Sequence, residues 1–271
     1  ALVPTLPTGL RHLTLIFNNN ALSLPTLTLT GDLSVTAGGA ITQSGILTIP
    51  GASSFTTGNF AITLSQNNAF TGAVSLNNSG NNTVSLINSI ALSLSTSSIG
   101  TGTLTLTAGG SISQTGAIIQ AASAGAITLS STAANSDILL NTQANNFSGA
   151  IGFSGTLGNI RDFALRNTNA SAVVPTALPS LSLRNLTLTF DNAGMTLPGL
   201  STSGTLTATA AGSITQSGAL LITGTPTFTL TSTADLLLAS AVNNFTVTPV
   251  ITSNGNVRDL ALRNTASNAL I

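Results

Sequence analysis

Apolar and hydroxyl residues alternate along much of this chain. Thr26-Leu27-Thr28-Leu29-Thr30, Thr101-Gly102-Thr103-Leu104-Thr105-Leu106-Thr107 and Thr205-Leu206-Thr207-Ala208-Thr209 all follow the rule. A period of two marks a strand with one face buried and one face wet. Clusters such as Asn18-Asn19-Asn20, Asn77-Asn78-Ser79-Gly80-Asn81-Asn82 and Ser253-Asn254-Gly255-Asn256 break the pattern every few residues. Helix formers at amphipathic spacing are missing. The pattern predicts an all-β chain of many short strands.

The strands recur in a larger order. Leu10-Arg11-His12-Leu13-Thr14-Leu15-Ile16-Phe17 returns as Leu183-Arg184-Asn185-Leu186-Thr187-Leu188-Thr189-Phe190, an offset of 173 (11 to 184) that holds without a gap to Leu47 and Leu220. Gly39-Ala40-Ile41-Thr42-Gln43-Ser44-Gly45 has copies at Gly110–Gly116 and Gly212–Gly218. Asn145-Asn146-Phe147 and Asn243-Asn244-Phe245 match each other, with a looser copy at Asn67-Asn68-Ala69-Phe70. Ile160–Thr168 matches Val257–Thr265. Repetition of this length reads as a stacked array, because no single piece can bury its apolar side alone.

Two unequal units follow. Positions 1–171 form a repeat unit that contains an inserted block, and 172–271 form a shorter unit without it. The block length is 71, which equals the step from Ile41 to Ile112. Leu165-Arg166-Asn167 and Leu183-Arg184-Asn185 lie 18 apart, which suggests one rung of a parallel β-helix. A coil of three short strands and three corners takes roughly 18–20 residues. On that reading the two tripeptides stack directly, and the two outward Arg side chains need counter-charges such as Asp162 or Asp191. Successive coils would lie roughly 4.8 Å apart. The right-handed preference of parallel crossovers sets the expected hand.

Composition narrows the function. Charged residues make up 4% of the 271, with six Arg, six Asp, no Lys, no Glu and a net charge of zero. An ordinary globular domain carries roughly 25%. Scattered Arg residues without a basic stripe argue against nucleic acid. No apolar run approaches the roughly 20 residues of a spanning helix. The aromatic girdles of a membrane barrel need Trp and Tyr, and both are absent. No leader follows Ala1, so any export signal is expected outside the segment. Cysteine is absent, which excludes a disulfide scaffold.

Ala37-Gly38-Gly39-Ala40-Ile41-Thr42-Gln43-Ser44-Gly45, a Thr/Ser-rich strand, and then Asn67 to Gly72 resemble the repeats of filamentous-haemagglutinin-type exoproteins. Those are bacterial two-partner-secretion products. The resemblance covers most of the chain and implies a right-handed parallel β-helix on the outside of a bacterium, serving adhesion or a surface fibre. The Asn-Pro-Asn motifs of that family's secretion domain are absent here.

Sites of chemistry are sparse. Glycoside cleavage needs two carboxyls within about 5–9.5 Å, and Asp32, Asp137, Asp162, Asp191, Asp235 and Asp259 are spread along the chain. No enzyme activity, cofactor or metal is expected. His12 stands where the second copy has Asn185 and lacks the company a metal site requires. The corner glycines, such as Gly109 and Gly110, are expected to adopt φ > 0. Outward Thr rows raise the idea of an ice-binding face, although 111–127 and 135–155 lack the pattern. The localised oddity is charge. Arg161, Asp162, Arg166, Arg184 and Asp191 gather where the units meet, and Arg258, Asp259 and Arg263 recur near the end. They read either as solvated corners or as contacts at a unit junction or between neighbouring solenoids.

The expected function is a structural β-solenoid segment of a secreted or cell-surface bacterial fibre or adhesin, partnered by itself end to end. The step from Arg263 to a following Arg11 would be close to one rung, so a coil could continue through 269–271 into 1–4 of the next copy. The alternatives are an adhesive surface for a host or matrix glycan or protein, and then an ice-binding or polysaccharide-active β-helix.

Overall fold

The computed structural model describes residues 3–253 and 255–266. The ends expected to continue the rung, 1–2 and 267–271, lie outside the described residues. Two compact units emerge, one of residues 1–134 with 148–156, the other of 135–147 with 157–271. Both are parallel β-solenoids, and together they hold about 12 turns at a spacing of about 21 residues. Among the described residues the helical pieces are two single turns, Leu157–Asn159 and Leu178–Ser180.

In the first unit, one ladder runs through Leu13–Phe17, Leu33–Ala37, Ser53–Thr57 and Val74–Asn77. A second runs through Leu22–Leu24, Ile41–Gln43, Ile62–Phe70, Val84–Asn88, Leu104–Ala108, Ile127–Ser131 and Ile151–Phe153. Leu27–Thr28 and Leu47–Ile49 start a third, which takes the Ala69-Phe70 end of the long strand. All pairings are parallel, and Leu15, Val35, Phe55 and Leu76 stack in register as one inward column. Each sits at most 7% exposed. Full burial of such a side chain stabilises by about 1.5–3 kcal/mol.

The five-residue strands change ladder within this unit. Leu13–Phe17, Leu33–Ala37 and Ser53–Thr57 occupy the first, whereas Val84–Asn88, Leu104–Ala108 and Ile127–Ser131 occupy the second. The three-residue strands move the other way, with Leu92–Leu94 joining the first ladder through the Leu94–Val74 pair. The cause is a mismatch of lengths. Three coils carry Ile41 through Ile62 and Val84 to Leu104. The repeated block carries it past Leu104 to Ile112, so the equivalent strand begins elsewhere on the cross-section.

In the second unit, Ser136–Asn145, Ile160–Asn167, Asn185–Phe190, Leu206–Ala210, Pro226–Leu230 and Val250–Thr252 form one ladder. Met195–Leu197, Ile214–Gln216, Ala234–Phe245 and Val257–Asn264 form another. Leu200–Thr202 and Leu220–Ile222 complete the third side, meeting Asn244-Phe245.

The structure corrects two expectations. Leu165 pairs with Leu188 and Arg166 with Thr189, so the Leu-Arg-Asn tripeptides do not stack on each other. Residues 168–184 make a longer excursion through the Leu178–Ser180 turn, with Leu178, Leu181 and Leu183 tucked inward. Leu183 instead bridges to Thr202. The second correction concerns glycine. Positive φ occurs at Gly9, Gly80, Gly155 and Gly255, but not at Gly109 or Gly110. A Cβ on Gly109 would fall 1.9 Å from the Ser89 carbonyl oxygen, so close passage of the coil beside it is what excludes a side chain there.

Candidate functional site

The side chains with the most specific contacts are those that join one coil to the next. Gln43 ends the Ile41–Gln43 strand and donates to the Gly45 carbonyl at 2.6 Å. Its amide faces that of Asn68, with paired bonds of 2.8 and 2.9 Å. Asn68 is fully buried, accepts the Leu47 N–H at 3.0 Å and donates to the Ile87 carbonyl at 3.0 Å. The second unit repeats this atom for atom. Gln216 and Asn243 exchange bonds of 2.9 Å, Asn243 accepts the Leu220 N–H at 3.0 Å, and it donates to the Arg263 carbonyl at 3.0 Å. Gln114 makes the same local bond, to the Gly116 carbonyl. In the second unit Asn145 donates to the carbonyls of Leu140 and Arg166. Buried amides satisfied this fully hold one register, since a slip would orphan several groups at once.

One coil further on, a second asparagine clamps the phenylalanine of the Asn-Asn-Phe element. Asn88 Oδ1 accepts the Phe70 N–H at 2.8 Å and its Nδ2 donates to the Phe70 carbonyl at 3.1 Å. Asn167 does this to Phe147 at 3.0 and 2.9 Å, and Asn264 to Phe245 at 2.9 and 3.1 Å. The clamped rings sit in the core, where Phe55 meets Phe70 and Phe228 meets Phe245 edge to face at 5.8 and 6.2 Å. The two commonest sequence motifs are therefore two halves of one buried clasp.

Corners carry a lighter version. Asn185 Oδ1 accepts the Thr205 N–H at 2.9 Å. In the equivalent place His12 Nδ1 accepts the Asp32 N–H at 3.0 Å, and Asp32 Oδ1 accepts the Ala52 N–H at 2.8 Å. His12 is thus a corner residue that substitutes for an asparagine.

Four of the eight charged residues singled out by the sequence come together in two coil-to-coil pairs in the second unit. Arg184 Nε bonds Asp162 Oδ1 at 3.0 Å, and its Nη2 contacts the other carboxylate oxygen. Asp162 Oδ1 also accepts the Asn185 N–H at 3.0 Å. Arg166 binds Asp191 through Nε and Nη2 at 2.9 and 2.8 Å. The counter-charges expected for Arg166 and Arg184 are therefore present, although the rung that suggested them is not. Arg161 and Arg258 take partners outside the expected set. Arg161 grips Asp137 at 2.9 and 2.6 Å, and Arg258 grips Asp235 at 2.8 and 2.6 Å. Asp259 lies 3.9 Å from Arg258 and is 71% exposed. The Arg263 side chain is exposed. The missed acids carried a signal, since Asp137 and Asp235 precede their arginines by about one coil.

Electrostatics follow the contacts. Burial pushes the Asp162 carboxyl up, but the hydrogen bonds from Arg184 and Asn185 outweigh it and hold the group below its ordinary value. The Arg258 hydrogen bond holds Asp235 low in the same way. Arg161, Arg184 and Arg258 are raised by their bonds to Asp137, Asp162 and Asp235 respectively.

Inward apolar columns, buried amide clasps and coil-to-coil ion pairs define a parallel β-solenoid repeat protein. The chain belongs to the family described as repeats of unknown function (DUF5649), whose model matches residues 11–77, 80–154 and 183–253. Each matched segment holds one Gln-Ser/Thr-Gly half of the clasp and one Asn-x-Phe half. No curated protein and no solved structure matches the chain. Among the described residues no helix is long and apolar enough to cross a membrane, which says nothing of strands.

Proposed function

We propose that this chain is a structural spacer in a secreted or surface-displayed bacterial fibre, built to stack on itself and to hold other parts at a distance. The observation that carries the reading is the clasp, which locks one coil to the next in the first and third family repeats and whose two half-motifs also occur in the second. A module of this kind can be added in series, because each coil contacts only its neighbours. The resemblance to filamentous-haemagglutinin-type exoproteins supports an extracellular place, and the Thr, Ser and Asn exterior suits a surface that stays wet with very little charge. We assign it no catalysis. Asp162 and Asp235 are each held low by a guanidinium, which keeps the carboxylate ionised and unsuited to donate a proton, and the carboxylates of Asp137 and Asp191 are each engaged by an arginine in an ion pair.

Antibody labelling of the intact source cells should decorate their exterior, and pulling single molecules should give stepwise release of coils. Labelling confined to the cytoplasm would overturn the placement. Turnover of a neutral or acidic glycan that is lost on replacing one Asp would overturn the structural reading.

A further inference from the structure

The ladder through Asn185–Phe190, Leu206–Ala210 and Pro226–Leu230 buries its apolar side chains and turns its threonines outward. Register sets those threonines in two straight files. Thr187 lies beside Thr207 and Thr207 beside Thr227, while Thr189, Thr209 and Thr229 line up in the same way. On the next strand Thr252 extends the second file, and Val250 stands in the first. The five-residue strands of the first unit carry nothing so uniform. Their outward pairs are Thr14 with Ile16, Ser34 with Thr36 and Ser54 with Thr56 in one ladder. In the other they are Ser85 with Ile87, Thr105 with Thr107 and Thr128 with Ser130.

The hydroxyls of the two files are also idle. Elsewhere threonines work inside the chain, as where Thr196 and Thr215 bond each other at 2.9 Å and Thr202 donates to the Gly204 carbonyl at 3.1 Å. Among the described residues, none of the seven file hydroxyls takes a partner. No charge stands in either file. Arg166 borders the face, in register against Thr189, and Asp191 holds it. A strand is paired on each side of this three-coil set, so coils added before or after it would leave the outward face as open as it is.

We propose that this face binds ice, with the ordered water of the crystal surface as its ligand. The argument is one of matching repeats. Neighbouring coils place threonines roughly 4.8 Å apart along a file, and a step of two residues places the files roughly 6.6 Å apart. Oxygen atoms on the prism faces of hexagonal ice repeat in two perpendicular directions at close to these spacings. β-Branching leaves threonine few χ1 choices on a strand, so the hydroxyls and methyls hold their places before any ligand arrives. A single hydroxyl gains little, since it exchanges one water hydrogen bond for another. Only a ligand with the same two-dimensional repeat engages the whole set at once. Other occupants fit less well. A glycan finds no Trp or Tyr to stack on anywhere in the chain. A protein partner relies on aromatic or arginine anchors, and the files offer neither. The inference goes beyond the spacer reading and does not depend on it.

The test is a slowly growing single ice crystal in a solution of the fluorescently labelled 271-residue chain. The wild type should enter the ice well above a labelled control protein of similar size, and should give the crystal flat facets. Thr207→Lys with Thr209→Lys, in the middle of both files, should cut uptake about tenfold, the scale of losing a few weak hydrogen bonds together. Thr105→Lys with Thr107→Lys, an outward pair in the first unit, should leave uptake unchanged. If the file pair fails to fold, as judged by circular dichroism, Thr229→Lys alone replaces it and should also lower uptake. Exclusion of the wild type from ice, or equal loss in the file and first-unit variants, would overturn the face. So would retention on cellulose or chitin powder with no uptake into ice. The cell-labelling and pulling measurements judge the spacer reading separately.

Discussion

Two of the junctions that follow a long Asn-x-Phe strand, one in each unit, are built alike inside and differently outside. In the first unit, Val84–Asn88 lies on Ile62–Phe70, and the outward residues are Ser85 and Ile87. In the second, Ile160–Asn167 lies on Ser136–Asn145, and Arg161 and Arg166 reach across to acids on neighbouring coils. In both, the asparagine at the far end clamps the phenylalanine backbone with two bonds. The buried amide is thus the constant part of a junction, and the charge is the variable part. Interior contacts set where a coil must sit. Exterior pairs then favour one following coil over another.

The sharpest way to break this comparison is to remove the constant part from each side. Asn88→Leu and Asn167→Leu each strip the N–H and the carbonyl of a buried phenylalanine of their partner, and each orphaned group costs roughly 1–3 kcal/mol. Urea unfolding and hydrogen exchange should report similar losses for both, centred on the Phe70 and Phe147 amides. A large loss at one junction and none at the other would separate them.

A smaller effect should fall on one side alone. Asp162→Asn removes the anchor of Arg184 and weakens the acceptor of the Asn185 N–H. Exchange at the Asn185 amide should quicken, while the first-unit junction around Val84–Asn88 stays as it was. An equal change at both would mean that the ion pair acts through the whole chain.

Acid should produce the smallest difference. Asp162 and Asp235 are held below their ordinary values, so their contribution is complete above the unfolded carboxylate value of about 3.9. It is lost as the pH falls from there through the lowered folded values. Thermal melts between about pH 6 and 2 should show the second unit weakening first. The first unit has one acid, Asp32, away from its junction. Loss of both units in step would contradict the assignment.

Much of the architecture was legible in sequence because a strand announces its buried face every second residue. The all-β class could be read in that way, and repetition showed the stacked coils and the two motifs that turn out to form the clasp. Their joining could not be read. Gln43 and Asn68 lie 25 residues apart, Gln216 and Asn243 lie 27 apart, and no fixed period connects them. Coil length depends on how far each corner loops out, and the Leu178–Ser180 turn shows the effect. There the repeated Leu-Arg-Asn suggested that Leu165 stacks on Leu183, while its partner is in fact Leu188. The ion pairs were half legible. The eight charged residues were recognised as a group, but Asp137 and Asp235 escaped because their partners sit a coil away rather than beside them.

The change of ladder by the five-residue strands has a consequence for anything that reads the first unit from outside. Any motif written on those strands faces one direction in the first family repeat and another in the second. A receptor or antibody that recognises the broad strands from a single side would find its epitope once there, although the gene encodes it twice. Duplicating the block again would lengthen the protein while turning the next copy to a further side of the coil. Valency toward a flat surface would then grow more slowly than repeat number.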